Sequence, residues 1–149
     1  MKGSLSTMNY LEPKGFFNKL LAFFKSRHTA SLETQYNIYR VRAFEFRIDF
    51  DKCGKAFFKY GGVEYLTDSI YSYLNYLDSK GNVMVKVLLE DDSRNIEKEK
   101  KFNEYCSAIE NIYQNIAFTG GYRTCDLKLI YRFKYVFYSE GIEWKEKFN

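Results

Sequence analysis

Glu45, Arg47 and Asp49 are the residues of this sequence whose types and spacing are best suited to chemistry. They lie in a stretch, Arg42 to Phe50, that alternates strictly. Arg42, Phe44, Phe46, Ile48 and Phe50 fall on one side, and Val41, Ala43, Glu45, Arg47 and Asp49 on the other. A period of two predicts a strand over 41–50. Same-face neighbours stand roughly 6.5–7 Å apart along a strand, so the three charged residues form a row of alternating sign. An arginine in such a row can hold a phosphate through paired hydrogen bonds. Flanking carboxylates can hold a hard cation. On pattern alone the commoner meaning is a solvated face with an ion pair of little energetic value.

The flanking elements position this row. Ser31 to Tyr39 reads as a short helix capped by Ser31 and leading into the strand. Asp51-Lys52-Cys53-Gly54 turns the chain, and Lys55 to Tyr60 returns as a second strand that Gly61-Gly62 ends. A helix opens at Thr67-Asp68, with Ile70, Tyr73, Leu74 and Leu77 on its apolar face, and stops at Gly81. Val83 to Leu89 is nearly all apolar, the composition of a strand covered on both faces, as in a parallel sheet. Strand, helix and strand from 41 to 89 form a βαβ-like unit with an inserted hairpin. Glu90-Asp91-Asp92 follow at the carboxyl end, where α/β proteins place ligands. Asp92 or Ser93 is placed to cap a long helix whose apolar stripe runs from Phe102 to Ile116. Leu127 to Tyr138 alternates and is read as strand, although Leu127, Ile130 and Tyr131 also fit a helical spacing.

Outside this unit, residues 1–14 read as a loose lead-in, 15–138 as a single α/β domain and 139–149 as a polar tail. In 15–27, Phe16, Phe17, Leu20, Leu21 and Phe24 recur at helical spacing beside Lys14, Lys19, Lys25 and Arg27. Such a basic helix can lie on an anionic membrane, but packing of its stripe on the core is the expected arrangement.

The chain has 149 residues, suited to one domain; 19% are aromatic and only one is proline, which argues against disorder. A net charge of +4, with acidic residues spread throughout, permits an anionic partner without demanding one. Three cysteines without paired spacing, Cys53, Cys106 and Cys125, argue against a zinc site or a disulfide framework and for a reducing compartment. No secretory signal and no membrane-length apolar run is seen, so a cytoplasmic location is the expectation. Arg123, Lys128, Arg132 and Lys134 interleave with Tyr122, Tyr131, Phe133 and Tyr135 like a stacking platform for single strands. The mild charge does not favour nucleic acid.

Residues 31–92 resemble the central signature of the phosphatidylinositol-specific phospholipase C-like phosphodiesterases. In that family a helix containing Gln leads into Gly-[Ile/Val/Ala]-Arg-x-[Phe/Leu]-[Asp/Glu]-[Ile/Leu]-Arg, and a second strand ends in His-Gly. Here Gln35 and Tyr36 precede Val41-Arg42-Ala43-Phe44-Glu45-Phe46-Arg47, and Tyr60-Gly61 stand where His-Gly would be. The resemblance implies a βαβ-based, partial (half) TIM-barrel-like fold with an inserted hairpin, because a complete barrel takes about 250 residues. Half a barrel leaves sheet edges that self-association would cover, so a homo-oligomer is expected. It also implies that Glu45 is the acidic member, Arg47 the phosphate contact and Glu90 the acid of the next strand.

The family's two histidines are missing. One is Tyr60 here; the other belongs to a Thr-His-[Asp/Asn] segment upstream of the Gln, which is not found. His28 is the only histidine and fits the lead-in. The signature's Gly is Arg40, a change expected to alter the turn. A two-histidine acid–base mechanism is thereby excluded in a single chain. Tyr60 is a poor substitute base, with an ordinary pKa of about 10, though it could donate a hydrogen bond.

The resulting expectation is a non-catalytic relative that binds a phosphate or phosphodiester, such as a cyclic nucleotide or inositol phosphate, without a cofactor. Arg47 is its contact, assisted by Arg42, Lys86 and Tyr60. One alternative is a phosphodiesterase using Glu45, Tyr60 and Glu90, with Ca²⁺ or Mg²⁺ held by Glu45, Asp49 and Glu90. Another is a structural, self-associating protein.

Overall fold

The computed structural model describes residues 1–90, 96–123, 129–131, 133 and 141–149. In chain order the elements are β1 (Lys2–Ser4), α1 (Gly15–Phe23), α2 (Leu32–Asn37), β2 (Val41–Phe50), β3 (Ala56–Tyr60), β4 (Val63–Glu64), α3 (Ile70–Lys80), β5 (Val83–Leu89), α4 (Ile96–Ile112), β6 (Ile116–Arg123), β7 (Leu129–Tyr131) and β8 (Glu143–Lys145).

The strands build one open α/β sheet. β8, β1, β2, β5 and β6 lie side by side, all parallel, and β7 runs antiparallel on the outer edge of β6. β2 is the hub because its long alternating run offers backbone partners on both edges. Its first half pairs with β1, its last three residues pair with β3, and β5 occupies the other edge from Ala43 to Ile48. β4 extends the β3 hairpin.

Register separates the two faces of the sheet. Phe44, Phe46 and Ile48 of β2 align with Val85, Val87 and Leu89 of β5, and Val85 aligns with Phe118 of β6. Three helices pack on this aromatic face. Phe58 touches Tyr73 of α3, Phe50 touches Tyr105 of α4, and Leu32 and Gln35 of α2 are buried beside β1 and β2. The opposite face carries Ala43, Glu45, Arg47, Asp49, Met84, Lys86, Ala117 and Thr119. The valines of β5 are buried as its composition predicts, but Met84 and Lys86 on its other side are only half-buried, so that face is less covered than the valine face.

Several local expectations hold. Ser31 caps α2 by accepting a hydrogen bond from the Thr34 N–H at 3.2 Å, and Gly81 ends α3 in a left-handed conformation at φ 67°. Gly120 is required by packing, since a Cβ there would collide with the Val87 carbonyl of the adjoining strand.

Three readings need correction. Residues 1–14 are not a loose lead-in: β1 joins the sheet, and Ser4, Thr7, Met8 and Asn9 are buried. Of the expected polar tail 139–149, the described residues 141–149 are tied to the fold, because β8 pairs with β1 and Phe148 is buried. Neither strand is long enough to show a periodicity; β1 takes its order from β2, and β8 from β1. The apolar stripe of α1 does not pack on the core; Ala22 is its one buried residue. The cap at Asp92 or Ser93 and most of the 127–138 strand lie outside the described residues.

Candidate functional site

The backbone of β2 is open along one edge between its pairing with β1 and its pairing with β3, at Glu45 to Arg47. The chain leaving β1 fills part of this gap. The Thr7 N–H donates to the Glu45 carbonyl (3.1 Å), and the Glu45 N–H donates to Thr7 Oγ1 (2.9 Å). The Tyr60 hydroxyl fills the rest, donating to the same carbonyl at 3.1 Å and accepting from the Met8 N–H at 3.2 Å. Behind this loop, Gln35 accepts from Ser4 Oγ (2.6 Å) and donates to the carbonyls of Thr7 and Ala30. The lead-in glutamine thus positions the loop that braces Glu45.

Glu45 is buried but fully engaged. Its Oε1 accepts from the Ser6 N–H (3.1 Å) and from Arg47 Nε (2.9 Å), and its Oε2 lies 3.6 Å from Lys86 Nζ. Two cations and an N–H offset the cost of burying the carboxylate. Arg47 reaches on to Glu90, with Nη1 donating to Oε2 at 3.4 Å, and the other Glu90 oxygen accepts from the Gly61 N–H at 2.8 Å. Burial alone would lower the Arg47 pKa; the Glu45 carboxylate, with help from Glu90, outweighs it and raises it instead. Arg47 is one-third exposed and Glu90 about one-fifth, whereas Glu45 is sealed. The network therefore has a buried end and an open end.

The row continues across the sheet. Glu45 aligns with Lys86, and Lys86 with Thr119, so the three side chains share a face. Thr119 is 5% exposed, and its hydroxyl finds no hydrogen-bond partner among the described residues. Lys86 Nζ also stands 5.9 Å from the centre of the Trp144 ring, which lies over Gly3. Asp49 forms a separate node, with Lys98 at 2.9 Å, Lys59 at 3.4 Å and the Phe50 N–H at 2.8 Å. It borders an open depression of ≈ 870 Å³ that five lysines help to line: Lys14, Lys52, Lys59, Lys98 and Lys101.

The structure brings Glu45, Arg47, Lys86 and Glu90 together and seats Tyr60 beneath them. Arg42 is elsewhere. It belongs to the aromatic face, where its guanidinium lies 3.8 Å from the centre of the Tyr36 ring and donates to the carbonyls of Tyr36 and Val41. Tyr60 is buried with its hydroxyl spent on two backbone groups, and burial raises its pKa well above the ordinary value. It cannot serve as a base at neutral pH. Among the described residues no three His, Cys, Asp or Glu side chains are grouped to share a metal ion. The oxygens of Glu45, Asp49 and Glu90 face lysine, arginine and backbone N–H instead.

His28 is structural. Its Nδ1 accepts from the Phe148 N–H (2.8 Å), which leaves the proton on Nε2, 2.7 Å from the Leu5 carbonyl. Burial lowers its pKa, and the hydrogen bond to Leu5 opposes this only in part. Of the proposed stacking platform, Phe133 is buried against Phe118 and Tyr122 is half-buried against Phe102. Lys128, Arg132, Lys134 and Tyr135 lie outside the described residues.

Sequence reasoning missed Ser6, Thr7 and Thr119. The signal available was the hydroxyl-rich stretch Ser4-Leu5-Ser6-Thr7, too short to reveal its partner. Thr119 carried none. No family model matches the chain, and no curated protein or solved structure does either.

Proposed function

We propose that this chain is a non-catalytic relative of the phospholipase C-like phosphodiesterases that binds a phosphate or phosphodiester at Arg47. The observation that carries the reading is a one-third-exposed arginine anchored on a buried Glu45, with Lys86 beside it and only the partly exposed Glu90 at its open end. A phosphate oxygen pair replaces Glu90 at the guanidinium, and Lys86 supplies a second positive charge. Glu90 is then a competitor for Arg47 that the ligand displaces.

The fold supports the partial-barrel form of this reading. Five adjacent parallel strands carry helices on one face and a charged row on the other, and the last described strand, β8, lies beside the first. Arg40, where the family signature has Gly, keeps a left-handed turn at φ 59°, a conformation that suits glycine. The upstream segment expected in the family corresponds to Thr7-Met8-Asn9, which lies against Glu45 and touches Tyr60. Met8 and Tyr60 then stand at the two histidine positions. Methionine has no proton to give, and Tyr60 is locked in its neutral form, so acid–base cleavage is lost while the anion contact is kept.

Calorimetric titration with inorganic phosphate, cyclic nucleotides and inositol phosphates tests this. Binding should be abolished by Arg47→Met and tightened several-fold by Glu90→Gln, which removes the competing charge. No binding of any phosphate ligand to either the natural chain or the Glu90→Gln variant would refute the proposal.

A further inference from the structure

The amphipathicity of α1 is inverted. Phe16, Phe17, Leu20, Leu21, Phe23 and Phe24 are between 49% and 82% exposed. On a 3.6-residue period these six fall within an arc of roughly 160°. The opposite side of the helix is the one that docks. Ala22 is buried, and Asn18 accepts from the Glu64 N–H of β4 while donating to the Lys14 carbonyl of its own helix start. The aromatic rings contact one another edge-on, Phe16 with Phe17 and Phe23 with Phe24, rather than the core. An apolar arc this large, pointing straight out from the protein, calls for a covering partner.

Charge identifies that partner. Lys14 and Lys25 fall on one margin of the arc and Lys19 on the other, all exposed, and the helix itself carries no acidic residue. Lys19 pairs with Glu12 at 3.3 Å, in an exposed pair of little strength. A second copy packed on this face in an isologous contact would set lysine margins against lysine margins. A phospholipid bilayer accepts the same pattern, because rings enter the acyl boundary while lysines on both margins reach anionic headgroups. No helix among the described residues is long and apolar enough to cross a membrane, so the contact lies in the plane of the surface.

We propose that α1 is a docking helix for an anionic phospholipid surface. The proposal does not depend on the phosphate site. Flotation with phosphatidylcholine vesicles, with and without phosphatidylglycerol, tests it, alongside sedimentation velocity of the free protein. The full chain should bind the phosphatidylglycerol vesicles, and salt should weaken that binding. The double substitution Phe17→Ser with Phe24→Ser should lower it about tenfold or more, and Lys19→Gln with Lys25→Gln should lower it while flattening its salt dependence. All four positions are exposed, so thermal melting of both variants should match the parent. Failure of the natural chain to bind, equal binding to vesicles lacking phosphatidylglycerol, or binding unchanged in the phenylalanine variant would each overturn the proposal. A self-association that the phenylalanine variant abolishes, without vesicle binding, would assign the face to a second copy.

Discussion

At the residue scale, Glu45 illustrates how a carboxylate can be buried at the centre of a sheet face when cations and an N–H converge on it. Arg47, Lys86 and the Ser6 N–H converge on its two oxygens. Removing it by Glu45→Ala takes the buried anchor from both cations and leaves Arg47 only its longer contact with Glu90. Because both remain about one-third exposed and can recover some hydration, the loss should lie near the low end for a broken buried pair, about 3 kcal/mol by urea denaturation. His28 makes a second prediction. Burial holds its folded pKa below the unfolded value, so the unfolded state takes up a proton first as pH falls. Its contribution is complete above the unfolded pKa of about 6.5 and is lost as pH drops through the folded value. Denaturation curves measured across that window should show stability falling with acid, and His28→Asn should show a shallower fall. A dependence unchanged in the variant would mean that other groups control it.

At the element scale, β2 recruits its neighbours in a fixed division of its edges, with β1 first, then Thr7 and Tyr60, then β3. The interruption of the ladder is what leaves room for side-chain chemistry at Glu45 and Arg47. The entry to β2 is strained. Arg40 sits at φ 59°, where a residue with a Cβ costs about 1–2 kcal/mol and glycine costs little. Arg40→Gly should therefore stabilise the protein by roughly 0.5–1 kcal/mol once the greater freedom of glycine in the unfolded chain is subtracted. Thermal denaturation would register it as a modest rise in Tm. A drop would show that Arg40 makes contacts worth more than the strain.

At the scale of the whole molecule, the two ends of the chain complete the sheet and its supports. β8 pairs with β1, and the Phe148 carbonyl accepts from the Thr29 and Ala30 N–H groups while its own N–H meets His28. Deleting residues 141–149 should expose the outer edge of β1, unpair these groups and open the pocket of Phe148. Losses of about 1 kcal/mol per hydrogen bond and 1.5–3 kcal/mol for the ring sum to a severe destabilisation, readable as a large fall in the urea midpoint and as aggregation through the freed edge. The elements with a repeating pattern were legible in the sequence: β2 from its period of two, α3 from its apolar spacing and Gly81, β5 from its valines, and the hairpin from its turn. Those patterns record which face is apolar, and the row of Glu45 and Arg47 could be read from them directly. What covers a face is a different quantity, set by contacts between residues far apart in the chain. The sequence by itself therefore determined β2, β3, β5, α2, α3 and the charged row. Only the tertiary structure decided that residues 2–4 and 143–145 join the sheet, that Met8 and Phe148 enter the core, that Glu45 is sealed while Arg47 stays open, and that the aromatic side of α1 faces outward, because each depends on which distant segment arrives to pair or to pack.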